Sequence, residues 1–312
     1  MGLFGKRAPA VDPDAHIGKT SAEILALPQL QIQFACIVLV HVLAYVAFSR
    51  KDSYFHSRPN IIAHYIPRGS GARALRARAP PPPFAARGRP TRARSRRFLL
   101  SFIWMASYGD YLWLFDEALA DPGFDRIWGY HGGAEKIVIS MLAIQSYDVP
   151  VSLIVPDLRQ VTFVLHHAVV LTLAWIAMRY QAFYFYGVYF LGVIESSSPF
   201  LAAVDAFRDF PKLAERWPNT NEACRITFAV VFYVVRIVGW VPVSKMFWLD
   251  ALSLLEEGAA LHTMPRWVPA FWLFTHAGLS CLQAWWGFLI LKALWALVTG
   301  DESARANEAK SA

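Results

Sequence analysis

Charged residues are scarce in this chain, since they make up only 17% of its 312 residues, whereas hydrophobic residues make up 56%. A soluble domain of this size has about 25% charged residues, so the composition excludes an ordinary soluble globular protein. Apolar runs near the length of a membrane span recur along the whole sequence. They cover residues 30–48, 98–119, 137–155, 158–178, 183–207, 226–248 and 268–298. Because a helix needs about 20 residues to cross the hydrocarbon core, the predicted fold class is all-α, a polytopic transmembrane helical bundle with about seven spans around a central polar cavity.

Cysteine and histidine are also scarce, which limits the kinds of site that the chain can build. The three cysteines, Cys36, Cys224 and Cys281, lie in or at the ends of separate apolar runs, and their spacing shows neither a disulfide framework nor a metal-binding pattern. Only two of the nine histidines are adjacent, His166 and His167, whereas membrane di-iron enzymes need several histidine clusters. We therefore expect no bound metal.

Acidic residues are nearly absent between residues 50 and 97, where 13 Lys or Arg accompany the single acid Asp52. Basic loops stay in the cytosol during membrane insertion, so we expect this segment there. A basic run is also typical of a segment that binds nucleic acid. The low-complexity sequence around Pro80–Pro83, next to a membrane whose anionic lipids attract cations, instead predicts a disordered linker and no nucleic-acid partner.

The remaining boundaries follow from the apolar runs. Residues 1–29 lack the short apolar core and the cleavage site of a secretory signal, so the run that begins at Leu30 is expected to be a retained span. The predicted organisation is an N-terminal tail at 1–29, a first transmembrane helix at 30–49, the basic linker at 50–97, a transmembrane domain at 98–299 and a cytosolic tail at 300–312.

Ionisable residues interrupt several of the apolar runs near their middle. They are Asp148, His166, His167, Glu195 and Arg236. Because a polar group at this depth in a membrane is costly, each is a candidate functional residue, and their similar predicted depth suggests one shared cavity. The alternative is a buried polar network that fastens the helices together, in which Asp148 or Glu195 pairs with Arg236.

The two histidines and Pro199 carry further expectations. Neighbouring helical residues point about 100° apart, so we expect one imidazole to face the cavity and the other to turn towards a neighbouring helix. Pro199 has no N–H to donate to the carbonyl of Glu195 four residues earlier, and Ser198 lies on the same helical face. A freed carbonyl is tolerated in a membrane where a helix lines a cavity.

An ordered series of polar and aromatic residues runs from Lys136 to Lys292. It contains Tyr147-Asp148, His166-His167, Glu195 followed by Ser196, Ser198, Pro199 and Phe200, then Tyr233 with Arg236-Ile237, and finally Gly278-Leu279, Leu282-Gln283, Trp286 and Phe288. This series resembles the TLC-domain family, which contains TRAM-type, ceramide-synthase-type and other lipid-linked membrane proteins. The resemblance implies a helical domain, typically of the endoplasmic reticulum membrane, whose central cavity admits lipid chains.

The sequence departs from the ceramide synthases within that family. Their histidine pair is followed by further His and Asp residues and a Leu-Glu-x-x-Lys run, whereas no second histidine and no aspartate before Asp205 follow His167 here. The departure argues against acylation of a sphingoid base. The Glu195-Ser-Ser-Ser-Pro pattern is closer to the branch of the family that is linked to phospholipid composition and membrane lipid homeostasis.

One hypothesis is a lipid acyltransferase that uses acyl-CoA as a co-substrate and no other cofactor. In it, His166 or His167 removes a proton from an acceptor or itself takes the acyl group, and Asp148 or Glu195 orients the ring. The predicted catalytic residues are His166, His167, Asp148 and Glu195. The predicted substrate-binding residues are Tyr147, Ser198, Arg236 and Gln283.

The second hypothesis is a lipid-binding, lipid-sensing or cargo-sorting membrane protein without catalysis. The same polar residues would then hold a head group, and proton transfer would play no part. A proton-coupled transporter is a third reading, which rests only on the buried carboxylates, since no inverted repeat is visible. In each case membrane lipids are the expected partners, and self-association into a homo-oligomer stays open.

Overall fold

The computed structural model describes residues 18–49, 100–155, 161–256 and 264–299. Of these, 87% are helical, and this part of the chain contains no strand. The helices are α1 Ser21–Leu25, α2 Pro28–Phe48, α3 Leu100–Phe115, α4 Glu117–Ala120, α5 Gly132–Ile154, α6 Val161–Tyr180, α7 Tyr184–Asp209, α8 Pro211–Arg216, α9 Pro218–Glu256 and α10 Trp267–Thr299. The predicted all-α membrane fold is confirmed. The predictions for residues 1–17, for the basic linker at 50–97 and for the tail at 300–312 lie outside the described residues.

Six of these helices, α2, α5, α6, α7, α9 and α10, are long and apolar enough to cross a membrane. The predicted run at 98–119 is shorter as a helix than the sequence suggested, because α3 ends at Phe115 after 16 described residues. The helix ends there because Asp116 is the N-cap of α4. Its carboxylate accepts hydrogen bonds of 3.1 Å from the N–H groups of Ala118 and Leu119. Six long helices and the shorter α3 agree with the prediction of about seven spans.

One end of the bundle is fastened by polar contacts and is called the clasp end here. Arg126, in the loop before α5, donates two hydrogen bonds of 2.7 and 2.8 Å to the carboxylate of Asp250 in α9. The same carboxylate accepts a hydrogen bond from Tyr186 near the start of α7. These bonds raise the pKa of the Arg126 guanidinium, chiefly through Asp250. Arg179, at the end of α6, adds a hydrogen bond of 3.0 Å to the carbonyl of Gly18. The opposite end, where α5 ends and α6 begins, is called the histidine end.

Helices α3 and α7 cross with their backbones in contact. A Cβ added to Gly109 would lie 2.7 Å from the Cα of Gly192, so neither position has room for a side chain. Because the backbones approach this closely, Asp110 of α3 reaches Ser196 of α7, whose hydroxyl donates a hydrogen bond of 2.8 Å to it. The crossing therefore fixes α3 against the part of α7 that carries Glu195.

Two of the long helices leave α-helical geometry at their centres. In α7, a π-helical turn at Val188–Gly192 is followed by a 3₁₀ turn at Val193–Ser197, and α9 contains a π-helical turn at Tyr233–Val238. Pro199 has no N–H to donate to the carbonyl of Glu195. The 3₁₀ turn satisfies that carbonyl, because the N–H of Ser198 donates to it instead. In α9, the hydroxyl of Tyr189 donates a 2.7 Å hydrogen bond to the carbonyl of Val235. Turns of this kind often mark functional sites, and here they carry Glu195 and Arg236.

Candidate functional site

A cavity of about 210 Å³ lies between α5, α6, α7, α9 and α10, with further lining from α3. Most of its wall is aliphatic or aromatic. Its polar lining residues are Gln145, His166, His167, Glu195, Ser197, Ser198, Arg236, His276 and Gln283. Residues from five helices therefore contribute polar groups to one mainly apolar space.

His167 is buried, and its ring is held from the side of α5. Its Nδ1 atom lies 3.1 Å from Oδ2 of Asp148, which is fully buried, and 2.5 Å from Oε1 of Gln145. Both neighbours are acceptors, so Nδ1 carries the hydrogen and, in the neutral ring, Nε2 carries the lone pair. The amide of Gln145 is itself oriented, because its Nε2 donates to the sulfur of Met141 at 3.3 Å. This arrangement can prepare an imidazole to accept a proton.

His166 is half-buried and meets the opposite side of the cavity. Its ring lies edge-on to the rings of His167 and Trp286, with centroid distances of 5.1 and 5.6 Å. Both histidines line the cavity, so the expectation that only one of them would face it is wrong.

Glu195 and Arg236 form the second polar group of the wall. Nη2 of Arg236 lies 3.6 Å from Oε1 of Glu195, and Ser198 donates a hydrogen bond to the other oxygen of that carboxylate. The Nε–H of Arg236 donates to the carbonyl of Ile194 at 3.1 Å and to the hydroxyl of Ser197 at 2.8 Å. The guanidinium is thus buried beside one carboxylate but bonded mainly to neutral oxygens. The pairing of Glu195 with Arg236 that the sequence suggested is present, and Asp148 pairs with His167 instead.

The positions of these residues along their helices differ from the common depth that the sequence suggested. His166 and His167 are the sixth and seventh residues of α6, and Asp148 is the seventeenth of the 23 residues of α5. All three therefore lie towards the histidine end. Glu195 and Arg236 lie close to the middle of α7 and α9. The residues meet because the cavity extends along the helices, so they need not share one level.

The other two predicted substrate-binding residues have different surroundings. Gln283 is 3% exposed and lines the cavity, and its Oε1 has no hydrogen-bond partner within the described part of the chain. Tyr147 is buried between α5 and α2, where its hydroxyl hydrogen-bonds Nδ1 of His41. Among the ionisable residues that the structure describes, no group of three or more His, Cys, Asp or Glu is arranged to hold a metal ion.

Sequence reasoning missed His276, which also lines the cavity. Trp248 donates a 3.0 Å hydrogen bond to its Nδ1, so its Nε2 carries the hydrogen and faces the hydroxyl of Ser244 at 3.1 Å. A ring in this tautomer cannot take a proton from Ser244, which excludes a serine–histidine nucleophile at this point. The signal was available, because His276 lies in an apolar run two helical turns before Gln283 and on the same face.

The comparisons with known proteins agree with this geometry. The sequence profile of the TLC domain matches residues 97–292, which is more than half of the chain. Neither a curated protein sequence nor a solved structure gives a significant match. The match indicates a multi-pass membrane protein of lipid metabolism or lipid sensing that is in contact with lipids. The chain therefore belongs to the TLC-domain family.

Proposed function

We propose that the protein binds a lipid acyl chain in the cavity and transfers an acyl group at its polar wall, with His167 as the general base. The observation that carries the proposal is the contact of His167 Nδ1 with the acceptors Asp148 and Gln145, in a ring that lines the same cavity as Arg236. An imidazole fixed in this tautomer is suited to proton transfer near neutral pH.

The shape of the cavity supports a chain-like ligand. Its lining residues on α10 run from Trp272 to Ile290 and include His276, Leu279 and Gln283, which recur every three or four residues. This spacing follows one helical face over about 27 Å, at 1.5 Å per residue. A long apolar wall with few polar groups suits a hydrocarbon chain attached to a polar head.

The proposed reaction is acyl transfer from acyl-CoA to a lipid hydroxyl or amine. The lone pair on Nε2 of His167 takes the proton of the acceptor while the acceptor oxygen or nitrogen forms a bond to the thioester carbonyl carbon. The carbon–sulfur bond then breaks, and the coenzyme A thiolate leaves with the proton from the imidazolium. Asp148 and Gln145 act as positioning residues, because they hold the hydrogen on Nδ1 and stabilise the ring while it is charged.

Arg236 has the chemistry to hold an anionic group of the ligand. Its single carboxylate neighbour lies 3.6 Å away, which is longer than a direct charged hydrogen bond. A phosphate or carboxylate oxygen of a lipid can therefore bind the guanidinium without breaking a tight ion pair. His166 also lines the cavity, where its ring contacts that of Trp286.

The second candidate function is lipid binding or sensing without catalysis. It is favoured by the partners that Glu195 and Arg236 already have, because such a network binds a head group with no proton transfer. The absence of the extended ceramide-synthase motif leads us to place the protein in the branch linked to membrane lipid homeostasis, and we propose the endoplasmic reticulum membrane as its location.

The experiment compares full-length wild type with His167→Gln, in which an amide replaces the imidazole. His131→Asn is a matched control, because His131 caps α5 from outside the cavity and Asn is an equally good cap. Each protein is purified with its bound lipid for mass spectrometry, and membranes containing it are assayed for acyl-CoA-dependent lipid products. We expect all three to retain lipid and only His167→Gln to lose the product.

The outcomes separate the two functions. If cells that express His167→Gln show the same change in lipid profile as wild type, the catalytic role is wrong and the binding function stands. If wild type retains no lipid chain after purification in a mild detergent, the lipid-binding cavity itself is refuted.

A further inference from the structure

The cavity ends in a group of aromatic side chains at the clasp end, called the aromatic floor here. It consists of Phe183, Phe247 and Trp272. On its own segment of the chain, each of these three residues is the cavity-lining residue that lies closest to the clasp end. Phe183 precedes α7, Trp272 is the first lining residue of α10, and Phe247 is the last one of α9. Three different elements therefore close the cavity at the same end with rings.

The rings of the floor are packed against one another. The ring of Phe183 stacks on Trp272 at a centroid distance of 4.8 Å and an interplanar angle of 24°, and it lies 5.8 Å from Phe247. The centroid of Phe247 lies 6.0 Å from that of Trp272. Phe183 and Phe247 are 1% and 0% exposed. A core packed this densely does not yield to an extra methylene without displacing a ring.

The backbone below the floor is held in place as well. Phe183 has φ +63°, a conformation that is rare for a bulky residue and persists only where the surroundings fix it. Its N–H donates a 2.7 Å hydrogen bond to the carbonyl of Ile127. The adjacent Arg126 is bound to Asp250 and Tyr186, so the loop that supports Phe183 is itself fastened to α7 and α9.

The distance from the polar wall to the floor is limited. Arg236 and Phe247 are 11 residues apart on α9, which corresponds to about 16 Å along the helix. A ligand whose head lies at Arg236 therefore has only this length of cavity for its chain. The wall around the head is polar, whereas the lining between the two is mainly aliphatic and aromatic, with His276 as a polar residue among it.

We propose that the aromatic floor sets the maximum acyl-chain length of the ligand, a fatty-acyl lipid whose terminal methyl group meets Phe183, Phe247 and Trp272. The inference rests on the proposed binding of an acyl chain in the cavity and adds the class of chain that it accepts. Chains that end short of the floor fit the cavity. Longer chains must displace a packed ring or bend.

The first test measures binding of saturated fatty acids by displacement of tritiated laurate, a chain short enough for the cavity, from the full-length protein in lipid nanodiscs. The competitors are laurate, myristate, palmitate, stearate and arachidate. Each methylene of the ligand leaves the hydrocarbon of the bilayer for the apolar wall of the cavity, so an added methylene gains little free energy. Chains that fit should therefore compete about equally. The first chain that reaches past the floor should compete at least about fivefold less well, since overpacking a dense core costs 1 kcal/mol or more.

Two substitutions should move this break to longer chains. Trp272→Leu and Phe247→Leu each remove ring volume from the floor at an independent position. Trp285→Leu is the matched control, because it is the same change on the same helix at a side chain that is 56% exposed. A third variant, Trp272→Phe, is mild, since Nε1 of Trp272 has no hydrogen-bond partner in the described part of the chain and the change therefore breaks no hydrogen bond.

The inference is overturned if the break occurs at the same chain length in wild type, in the floor variants and in Trp285→Leu. If wild type binds no tritiated laurate that the fatty acids can displace, the proposed acyl-chain cavity is refuted together with it. The two failures are distinguishable, because the first leaves binding intact.

The second test uses wild type alone and so does not depend on the folding of a variant. A myristic acid analogue with a terminal diazirine is bound and photolysed, and the labelled peptides are identified by mass spectrometry. We expect label on the segments around Phe183, Phe247 and Trp272. An analogue with the diazirine beside the carboxyl group should instead label residues near His167 and Arg236, and terminal label at that polar wall would overturn the inference.

Discussion

An arginine, a carboxylate and a hydroxyl meet both at the clasp end and in the cavity, and these two sites differ in geometry. At the clasp end, Arg126 binds both oxygens of Asp250 at 2.7 and 2.8 Å, and the arginine side chain is 40% exposed. In the cavity, Arg236 lies 3.6 Å from Glu195, and both side chains are about one-tenth exposed. The first pair is closed on itself and fastens a loop. The two groups of the second pair are buried but lie farther apart, so the guanidinium of Arg236 is able to bind a ligand.

The physical reason lies in the cost of burying a charge. A buried guanidinium must be compensated, and Arg236 obtains this from the carbonyl of Ile194, the hydroxyl of Ser197 and the nearby carboxylate. None of these contacts uses the bidentate geometry that makes an arginine–carboxylate pair strong. Similar residue types therefore fasten a loop at the clasp end, whereas the role that we propose for them in the cavity is recognition of a ligand.

The largest expected difference between the two sites is in stability. Glu195→Leu leaves Arg236 buried without its carboxylate and should lower the free energy of unfolding by about 3 kcal/mol. Asp250→Leu exposes Arg126 to more solvent, which screens it, and should cost only about 1 kcal/mol. Unfolding in sodium dodecyl sulfate measures both. The double variant Glu195→Leu with Arg236→Met should recover most of the loss, and equal costs for the two single variants would contradict the comparison.

The next effect is on ligand affinity. Arg236→Lys keeps the positive charge but loses the planar fork of the guanidinium, so binding of laurate should weaken about tenfold. Arg126→Lys is the control at the other site and should leave the dissociation constant unchanged. Titration with tritiated laurate in nanodiscs gives both values. Equal weakening in the two variants would show that the clasp also contributes to binding.

A smaller effect is expected on the loop at the clasp end. Asp250→Asn removes the charge that holds Arg126, so amide hydrogen exchange in residues 121–131 should become about fivefold faster, which corresponds to a loss of about 1 kcal/mol. Glu195→Gln should leave exchange in that loop unchanged. Hydrogen exchange with mass spectrometry makes the comparison, and unchanged exchange in Asp250→Asn would contradict the fastening role of the pair.

The smallest effect concerns Tyr130, also near the clasp end. Its hydroxyl donates a 2.9 Å hydrogen bond to Glu135, and this bond, followed by burial, raises the pKa of the phenol. The folded state therefore holds the proton more tightly, and the stabilisation present below about pH 10 is lost as the pH rises above it. Tyr130→Phe should show a shallower fall in melting temperature above that pH. Parallel curves for the two proteins would rule this contribution out.

The fold class could be predicted because hydropathy is a local property of the sequence. The end of α3 could be predicted in part, because Asp110, Asp116 and Glu117 interrupt or end the apolar run at 98–119, and Asp116 caps the helix that follows. The π-helical and 3₁₀ turns that present Glu195 and Arg236 were beyond prediction. Only Pro199 gave a local sign of irregular backbone, and the rest depends on contacts between helices, such as Tyr189 with Val235.

The candidate site was predictable in its ionisable members and not in its neutral ones. His167, Asp148, Glu195 and Arg236 stand out because charge is costly in an apolar run. Gln145 did not stand out, although it shares Nδ1 of His167 with Asp148, because a neutral amide carries a weaker signal. The assignment of catalytic and substrate-binding roles to these residues stays a prediction.

The glycine pair at the crossing of α3 and α7 has a consequence for how the protein tolerates change. A single methyl group at Gly109 has no space, so Gly109→Ala must widen the gap between the two helices. The shift would draw Asp110 away from Ser196 and disturb the neighbouring serines that hold the guanidinium. Variation that impairs ligand handling can therefore arise at a position that no ligand touches, on the helix that the hydropathy of the sequence marks least clearly as a span.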